Sequence, residues 1–339
     1  MNLTRYCLAV PAALLCSIAL AQQANPGGRG GAQSNPQSNE AASVDIDRFI
    51  GLALDSPVHL SQGLLLTHSM LRSGNPYHPG LSGAVLEYRK DLSIATLLPK
   101  NHTPLVAVSD QLFFYVESGE GRLEDGKQFW DLRENIAVLV PPNASHRIVN
   151  DSDKPLTMVM MTWTPSAPPR SDILARDVNL LPWCEENAHW NNTSKCVFGA
   201  ADGLLQSERM YLVMLQPWAA SQPHSHGEGT EEIWTKVSPG TATILIGSVL
   251  HEMPQNSAYL VPPTGFTEHS NLNLTKDRVD WYLYIARGPT PPAGAATSAQ
   301  NGGRGGRGGG GRGANANPNV VRDRASVEAA TVVGKPIRQ

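Results

Sequence analysis

The sequence predicts an all-β protein of two tandem barrels, flanked by disordered Gly-rich N- and C-terminal segments. Three observations predict it. Short runs rich in Val, Ile, Leu, Thr and aromatic residues alternate with Gly, Pro, Asn and Asp, which is the pattern of strands and turns. No long window keeps an apolar period of 3.6, so helices are not indicated. A block spanning 45–165 is echoed by a second block spanning 166–288, the signature of one fold used twice.

The chain begins with a segment that reads as a secretory signal over residues 1–21. Arg5 supplies its positive start, Leu8 to Leu20 is apolar apart from Pro11 and Ser17, and Ala19-Leu20-Ala21 offers small residues for cleavage after Ala21. A secreted or periplasmic location is therefore expected, with no membrane association after cleavage. Residues 22–44 follow as a low-complexity linker of Gln, Asn, Gly, Ser, Ala and Pro, too polar to bury a core. At the other end, 289–339 reads as a Gly/Arg-rich disordered tail, although Val320 to Gln339 regains some Val and Ala that suit weak docking. An Arg-Gly tract suggests RNA only in a cytosolic chain. With a formal net charge of −3, no nucleic-acid partner is expected. Of the four cysteines, Cys7 and Cys16 leave with the signal. Cys184 and Cys196 remain, an even pair that in an oxidising compartment suits a disulfide or, failing that, two buried thiols.

Within the first block, Leu112 to Val116, Ile136 to Val140 and Met158 to Trp163 read as strands. Within the second, Met210 to Leu215, Thr241 to Ile246, Ala258 to Val261 and Trp281 to Ala286 do so. The blocks share a finer pattern. Asn135-x5-Pro141-Pro142 precedes His146-x3-Asn150, and Asn256-x5-Pro262-Pro263 precedes His269-x3-Asn273. Asn143 and Gly265 both tolerate the left-handed backbone of a tight turn.

His224-Ser225-His226 carries the chemistry. On an extended chain, residues two apart share a face, so both imidazoles enter one barrel. Glu231 or Glu232 opens the next run, and His269 comes from the later hairpin. Three imidazoles and a carboxylate suit one divalent metal ion, and Mn, Fe, Co, Ni, Cu and Zn are not distinguished. Arg209 and Lys236 could meet an anionic substrate if they point inward.

The region from Pro223 to Asn273 resembles the cupin superfamily. The family's first motif, HxH, three or four residues, then Glu, is matched by His224, His226 and Glu231, with Glu232 as the alternative. Its second motif, Gly-x5-Pro-x-Gly-x2-His-x3-Asn, appears as Asn256, Pro262-Pro263, Gly265, His269 and Asn273. Asn256 stands for the first Gly, and the turn holds three residues rather than two before His269. The first block resembles a cupin stripped of its HxH. His102 stands alone, Asp110 or Gln111 occupies the Glu region, and only Asn135, Pro141, Asn143, His146 and Asn150 remain. The resemblance covers roughly residues 60 to 288. It implies two cupin-type jelly-roll barrels, a bicupin, with the first barrel metal-free and the second metal-binding.

The resemblance implies the fold and not the activity; because three His and one Glu suit redox metals, a metal-dependent oxidoreductase of the dioxygenase type acting on a small-molecule substrate is the first expectation. A metal-dependent isomerase, lyase or decarboxylase is the nearest alternative, followed by a non-catalytic sugar or organic-acid binding module. Glu268, beside His269, is the one weak candidate for a catalytic acid or base. By analogy, a homodimer is the default assembly.

Overall fold

The computed structural model describes residues 44–184, 192–289 and 324–337. The signal segment and the 22–43 part of the linker lie outside the described residues, as does the Arg-Gly tract. What is described is β throughout, with short helical turns. Among the described residues the strands form sheets of nine, seven, five and four strands.

These sheets stack as four layers. The five- and nine-stranded sheets enclose one apolar core, which includes Leu112, Phe114, Val116, Leu123, Trp130 and Ile148. The seven- and four-stranded sheets enclose another, with Tyr211, Trp234, Ile244, Tyr259 and Tyr284. The two large sheets then pack back to back through a third core containing Phe113, Tyr115, Met161, Trp163, Phe198, Ile233 and Leu283. The predicted strands look like unbroken apolar runs for this reason. Along Gln111–Ser118, Phe113 and Tyr115 face the other barrel while Leu112, Phe114 and Val116 fill their own. A strand buried on both faces cannot alternate apolar with polar.

The block boundaries expected at 165/166 do not match sheet membership and need correction. Ile50–Leu52 leaves the first block and pairs antiparallel with Ser257–Val261 of the second barrel, Ile50 opposite Tyr259. In return, Leu174–Asp177 pairs with Ile136–Val140 of the first barrel, Ile136 opposite Asp177. Each large sheet therefore takes in a strand from the other block: Ile50–Leu52 forms an edge of the seven-stranded sheet, and Leu174–Asp177 lies second from an edge of the nine-stranded one. The 289–339 tail is likewise not featureless. Arg324–Ala329 is a short helix, Thr331–Val332 pairs with Leu174–Asp177, and Lys335–Pro336 pairs with Gln128–Arg133. Its Val and Ala residues have an apolar place to go: Ala330 is buried in the inter-barrel core and Val332 packs on the first-barrel core. Cys184 and Cys196 are joined as a disulfide, with Cα atoms 5.9 Å apart.

The shared sequence pattern has a structural meaning. Asn135 and Asn256, which stand where the family motif has its first Gly, have φ of 65° and 63°, and Asn143 and Gly265 have 62° and 87°. Asn is the residue other than Gly that most readily accepts this region. The closing Asn of each motif is a buried clamp. The Asn150 amide donates to the carbonyls of Leu97 (3.0 Å) and Lys154 (2.8 Å), and its oxygen accepts from Ser152 N–H (3.0 Å) and hydroxyl (2.7 Å). Asn273 repeats this with Leu215 (3.1 Å), Arg278 (2.6 Å) and Thr275 (3.1 and 2.6 Å). Asn273→Ala is expected to destabilise by about 1–3 kcal/mol, because buried carbonyls lose their donor. Urea unfolding checks this; an unchanged midpoint would contradict the clamp.

Candidate metal centre

The site lies in the second barrel, and strand register builds it. Glu231–Lys236, Asp280–Arg287 and Glu208–Leu215 are neighbours in that order. Register places Arg209, Ala286 and Glu232 in one row across them. The next row facing the same way is Tyr211, Tyr284, Trp234 and Tyr259. An upper polar layer thus rests on an aromatic floor. Tyr211 and Tyr284 stack at 5.6 Å, and Trp234 meets Tyr284 edge-on at 4.7 Å. The small Ala286 leaves room between Arg209 and Glu232.

The histidines enter this layer from two segments. The HxH segment is not a regular strand. It touches the sheet only at His224, whose backbone pairs with His269 through N–H···O contacts of 3.3 and 3.0 Å. The rings nonetheless converge, with centroids 4.7 Å apart for His224 and His226, 4.5 Å for His224 and His269, and 5.4 Å for His226 and His269. After His226 the chain turns over Gly227 to Thr230. Gly229, with φ of 79°, donates to the Pro263 carbonyl at 3.0 Å and ties the turn to the later loop.

The carboxylate beside these rings is Glu232, and the expectation of Glu231 is corrected. Neighbouring residues on a strand point to opposite faces, so a shift of one residue reverses the assignment. Ile233 is in the inter-barrel core and Trp234 is inside the barrel. Glu231 therefore shares the outward face with Ile233, and Glu232 the inward face with Trp234. Glu231 instead accepts from the backbone N–H groups of Glu87 (2.7 Å) and Tyr88 (2.8 Å) in the first barrel. Burial raises its carboxyl even though Arg89 and these donors favour the charged form. Five residues separate His226 from Glu232, one more than the motif allows, which is why counting from the histidines misled.

His224, His226, Glu232 and His269 each offer one donor atom, all within 4.8 Å of one another. Glu232 Oε1 is 2.9 Å from His269 Nε2, and its Oε2 touches His226 Nε2. Trp234 Nε1–H donates to Glu232 Oε1 at 2.7 Å and fixes that carboxylate. His224 Nδ1 faces the Gln222 carbonyl at 2.7 Å, so a proton there leaves Nε2 turned inward. His226 Nε2, Glu232 Oε2 and both ring nitrogens of His269 are buried without a well-formed hydrogen bond. Four donor groups converging on one point, with several of their buried polar atoms lacking a partner, fit a cation, so this donor set could hold a metal. Glu232 and His269 are buried, whereas His224 and His226 are partly exposed, so the centre opens on the HxH side.

Electrostatics fit an ionised carboxylate and a neutral His224, while that carboxylate draws His226 towards its charged form. Burial, followed by the nearby His269, pushes His224 down to about 4. Burial also works against a charged His226, but the Glu232 carboxylate outweighs it and the net shift is upward. Glu232 itself would be raised by burial, yet His226 and His269 hold it well below the ordinary carboxylate range. Arg209 is held more firmly cationic, first by Tyr284, against burial, with further help from Tyr211 and Glu232. Arg209 thus faces the site, as one sequence expectation allowed. Lys236 lies deeper, donating to the Ser238 carbonyl (2.7 Å) and hydroxyl (2.5 Å) and paired with Asp280 at 3.1 Å. Glu268, the weak catalytic candidate, is exposed and is not one of the four donors.

Pairing also identifies the matching positions in the first barrel. Val106 bridges to His146 as His224 bridges to His269. Leu112 pairs with Val140 before a Pro-Pro, as Glu232 pairs with Val261. The counterparts of the donor set are therefore Val106, Val108, Leu112 and His146, and only the last can bind a metal. His102, Asp110 and Gln111 are not at these positions. His146 is capped by the Ala144 carbonyl (3.0 Å) and Gln62 (3.2 Å). Burial lowers its pKa from 6.5. A buried neutral His contributes stability above its unfolded pKa, and that contribution is lost as pH falls through the folded value. The urea midpoint is expected to drop from pH 7 towards pH 5, with a shallower drop in His146→Gln. Equal slopes would contradict this. A groove on this barrel, apart from the centre, is lined by Arg122, Glu124, Asp131 and Asp151, and these four charges pair with each other or with Arg147 and Lys335.

Comparisons with known proteins agree with this architecture. Residues 96–162 match the family model described as Cupin domain, which falls in the first barrel rather than the one with the donor set. No curated protein matches the chain. AerE from Microcystis aeruginosa is similar in fold, at 14% identity and a TM-score of 0.53, over 71% of this chain and 98% of that one. The 7S globulin of Momordica charantia gives 9% and 0.53, over 72% and 85%. A formate complex of oxalate decarboxylase from Lactobacillus farciminis gives 11% and 0.52, over 71% and 86%. At such identities the likeness concerns the fold alone. Residues 96–162 thus carry a cupin domain, and the chain as a whole has the double-barrel fold of these structures.

Proposed function

We propose that His224, His226, Glu232 and His269 hold one divalent metal ion, and that the protein is a metal-dependent oxidoreductase, dioxygenase-like, acting on a small organic anion. The convergence of four donor atoms within 4.8 Å is the observation that carries this reading. A bound divalent ion supplies Lewis acidity towards a substrate oxygen and, if redox-active, a place for electrons.

The chain's own residues supply the rest. Gln222 orients His224, and Trp234 orients Glu232. The aromatic floor keeps the lower barrel dry. Arg209, one small residue away from Glu232 across the sheet, offers a fixed cation. A divalent ion, one carboxylate and one guanidinium leave net positive charge in the layer, which an anionic substrate balances. This supports a carboxylate-type substrate. Isomerase, lyase or decarboxylase chemistry needs a proton donor or acceptor near the reacting atom. Among the described residues, the groups of the metal layer and its floor that could serve, besides the four donors, are Arg209 and tyrosines. Burial raises Tyr259 and Tyr284, which makes both weak acids, poorly matched to giving up a proton. Redox chemistry is the reading this favours. The disulfide and the leader-like first 21 residues support work in a secreted or periplasmic setting.

Elemental analysis of purified protein, with and without His224→Ala, tests the centre. Near-stoichiometric metal in the wild type and a large loss in the variant are expected. Equal metal content in both would remove the reading.

A further inference from the structure

The row behind the metal layer is as ordered as the layer itself. On the same three strands, register places Glu208 opposite Arg287 and Arg287 opposite Glu231. Each carboxylate of this row precedes a residue of the inner row: Glu208 precedes Arg209, and Glu231 precedes Glu232. Adjacent residues point to opposite faces, so the outer row looks towards the first barrel.

Arg89 of the first barrel meets it. Arg89 is 1% exposed and its guanidinium lies over the Trp163 ring at 5.1 Å. It is 2.6 Å from Glu208 and 3.7 Å from Glu231. The pairing is one of charge and reach, since none of the guanidinium nitrogens forms a well-angled hydrogen bond. Around it, Tyr88 lies under the Arg287 guanidinium at 4.1 Å, and the Tyr88 hydroxyl donates to the Gly229 carbonyl at 3.3 Å. Gly229 belongs to the turn that joins His226 to Glu232.

We propose that Arg89 is a positioning residue for the metal centre. By bridging Glu208 and Glu231 it anchors the first residues of the two strands that carry Arg209 and Glu232, while Tyr88 holds the turn between His226 and Glu232. The first barrel, whose own donor positions are Val106, Val108 and Leu112, thereby sets the geometry of the centre in the second. This rests on the metal reading above.

Titration of the full-length protein with Co(II) tests it, reading dissociation constant and visible absorption of the bound ion, alongside the melting temperature of the metal-free protein. Arg89→Lys keeps the charge but is shorter and cannot span both carboxylates. It is expected to bind Co(II) about tenfold more weakly, in the range seen when groups supporting metal ligands are removed, and with an altered spectrum. Glu231→Gln should shift both readings the same way, and serves if Arg89→Lys does not fold. A lowered melting temperature with unchanged affinity and spectrum would make Arg89 structural only and overturn the proposal. Wild-type protein that fails to bind Co(II) would remove the metal centre itself and this proposal with it.

Discussion

Glu232→Ala is expected to strip the second barrel of divalent metal, whereas Glu231→Gln is expected to retain it with weakened affinity. The two residues are adjacent, equally acidic and both buried, so composition does not separate them. Face does. Glu232 supplies the single negative charge among the donors, is held by Trp234, and approaches His226 and His269 through different oxygens. Its loss leaves three neutral imidazoles beside the Arg209 cation. Groups that merely support metal ligands are worth 10–100-fold in affinity, so losing a charged donor should weaken binding by more than about 100-fold. Metal content of the purified variants and calorimetric titration with Mn(II) or Zn(II) read this directly. Metal lost from the Glu231 variant but kept by the Glu232 variant would reverse the assignment of faces.

The sequence held more of this than one way of counting extracted. Counting from the HxH pair favoured Glu231, because the family spacing allows three or four residues and this loop has one more. Counting back from Ile233 favoured Glu232. Strand parity was the better guide, since an insertion in a loop changes spacing but leaves the alternation of a following strand intact. The same limit applies to the first barrel. His102, Asp110 and Gln111 drew attention as chemistry-bearing side chains in a region that had lost its HxH. The positions that matter are Val106, Val108 and Leu112, which carry no chemistry and so gave no signal. Only the pairing of Val106 with His146 and of Leu112 with Val140 identifies them.

Topology was legible only within each block. The repeat of Asn, Pro-Pro, His and Asn announced two copies of one fold, and the left-handed Asn135 and Asn256 show why Asn can replace a glycine there. The exchange of Ile50–Leu52 and Leu174–Asp177 was not legible. A three- or four-residue strand pairs through its backbone, and backbone donors and acceptors are the same in every sequence. The partnership of Glu231 with the Glu87 and Tyr88 amides was hidden for the same reason.

Arg209→Met should produce two changes of opposite sign in the metal-loaded protein. Affinity for small mono- and dicarboxylates should fall, because a buried hydrogen-bonded charge partner is worth about 2–5 kcal/mol, or roughly 30-fold and upwards in dissociation constant. Metal affinity should hold or rise, because a cation facing the same layer is removed. A general loss of packing would lower both affinities together, so the opposed signs separate an anion anchor from a structural arginine. Arg209→Lys should fall between wild type and Met on carboxylates, since it keeps the charge without the planar fork that matches a carboxylate. Calorimetry on metal-loaded wild type, Arg209→Met and Arg209→Lys decides the matter. If all three bind carboxylates alike, Arg209 serves only to balance Glu232, and the substrate need not be an anion.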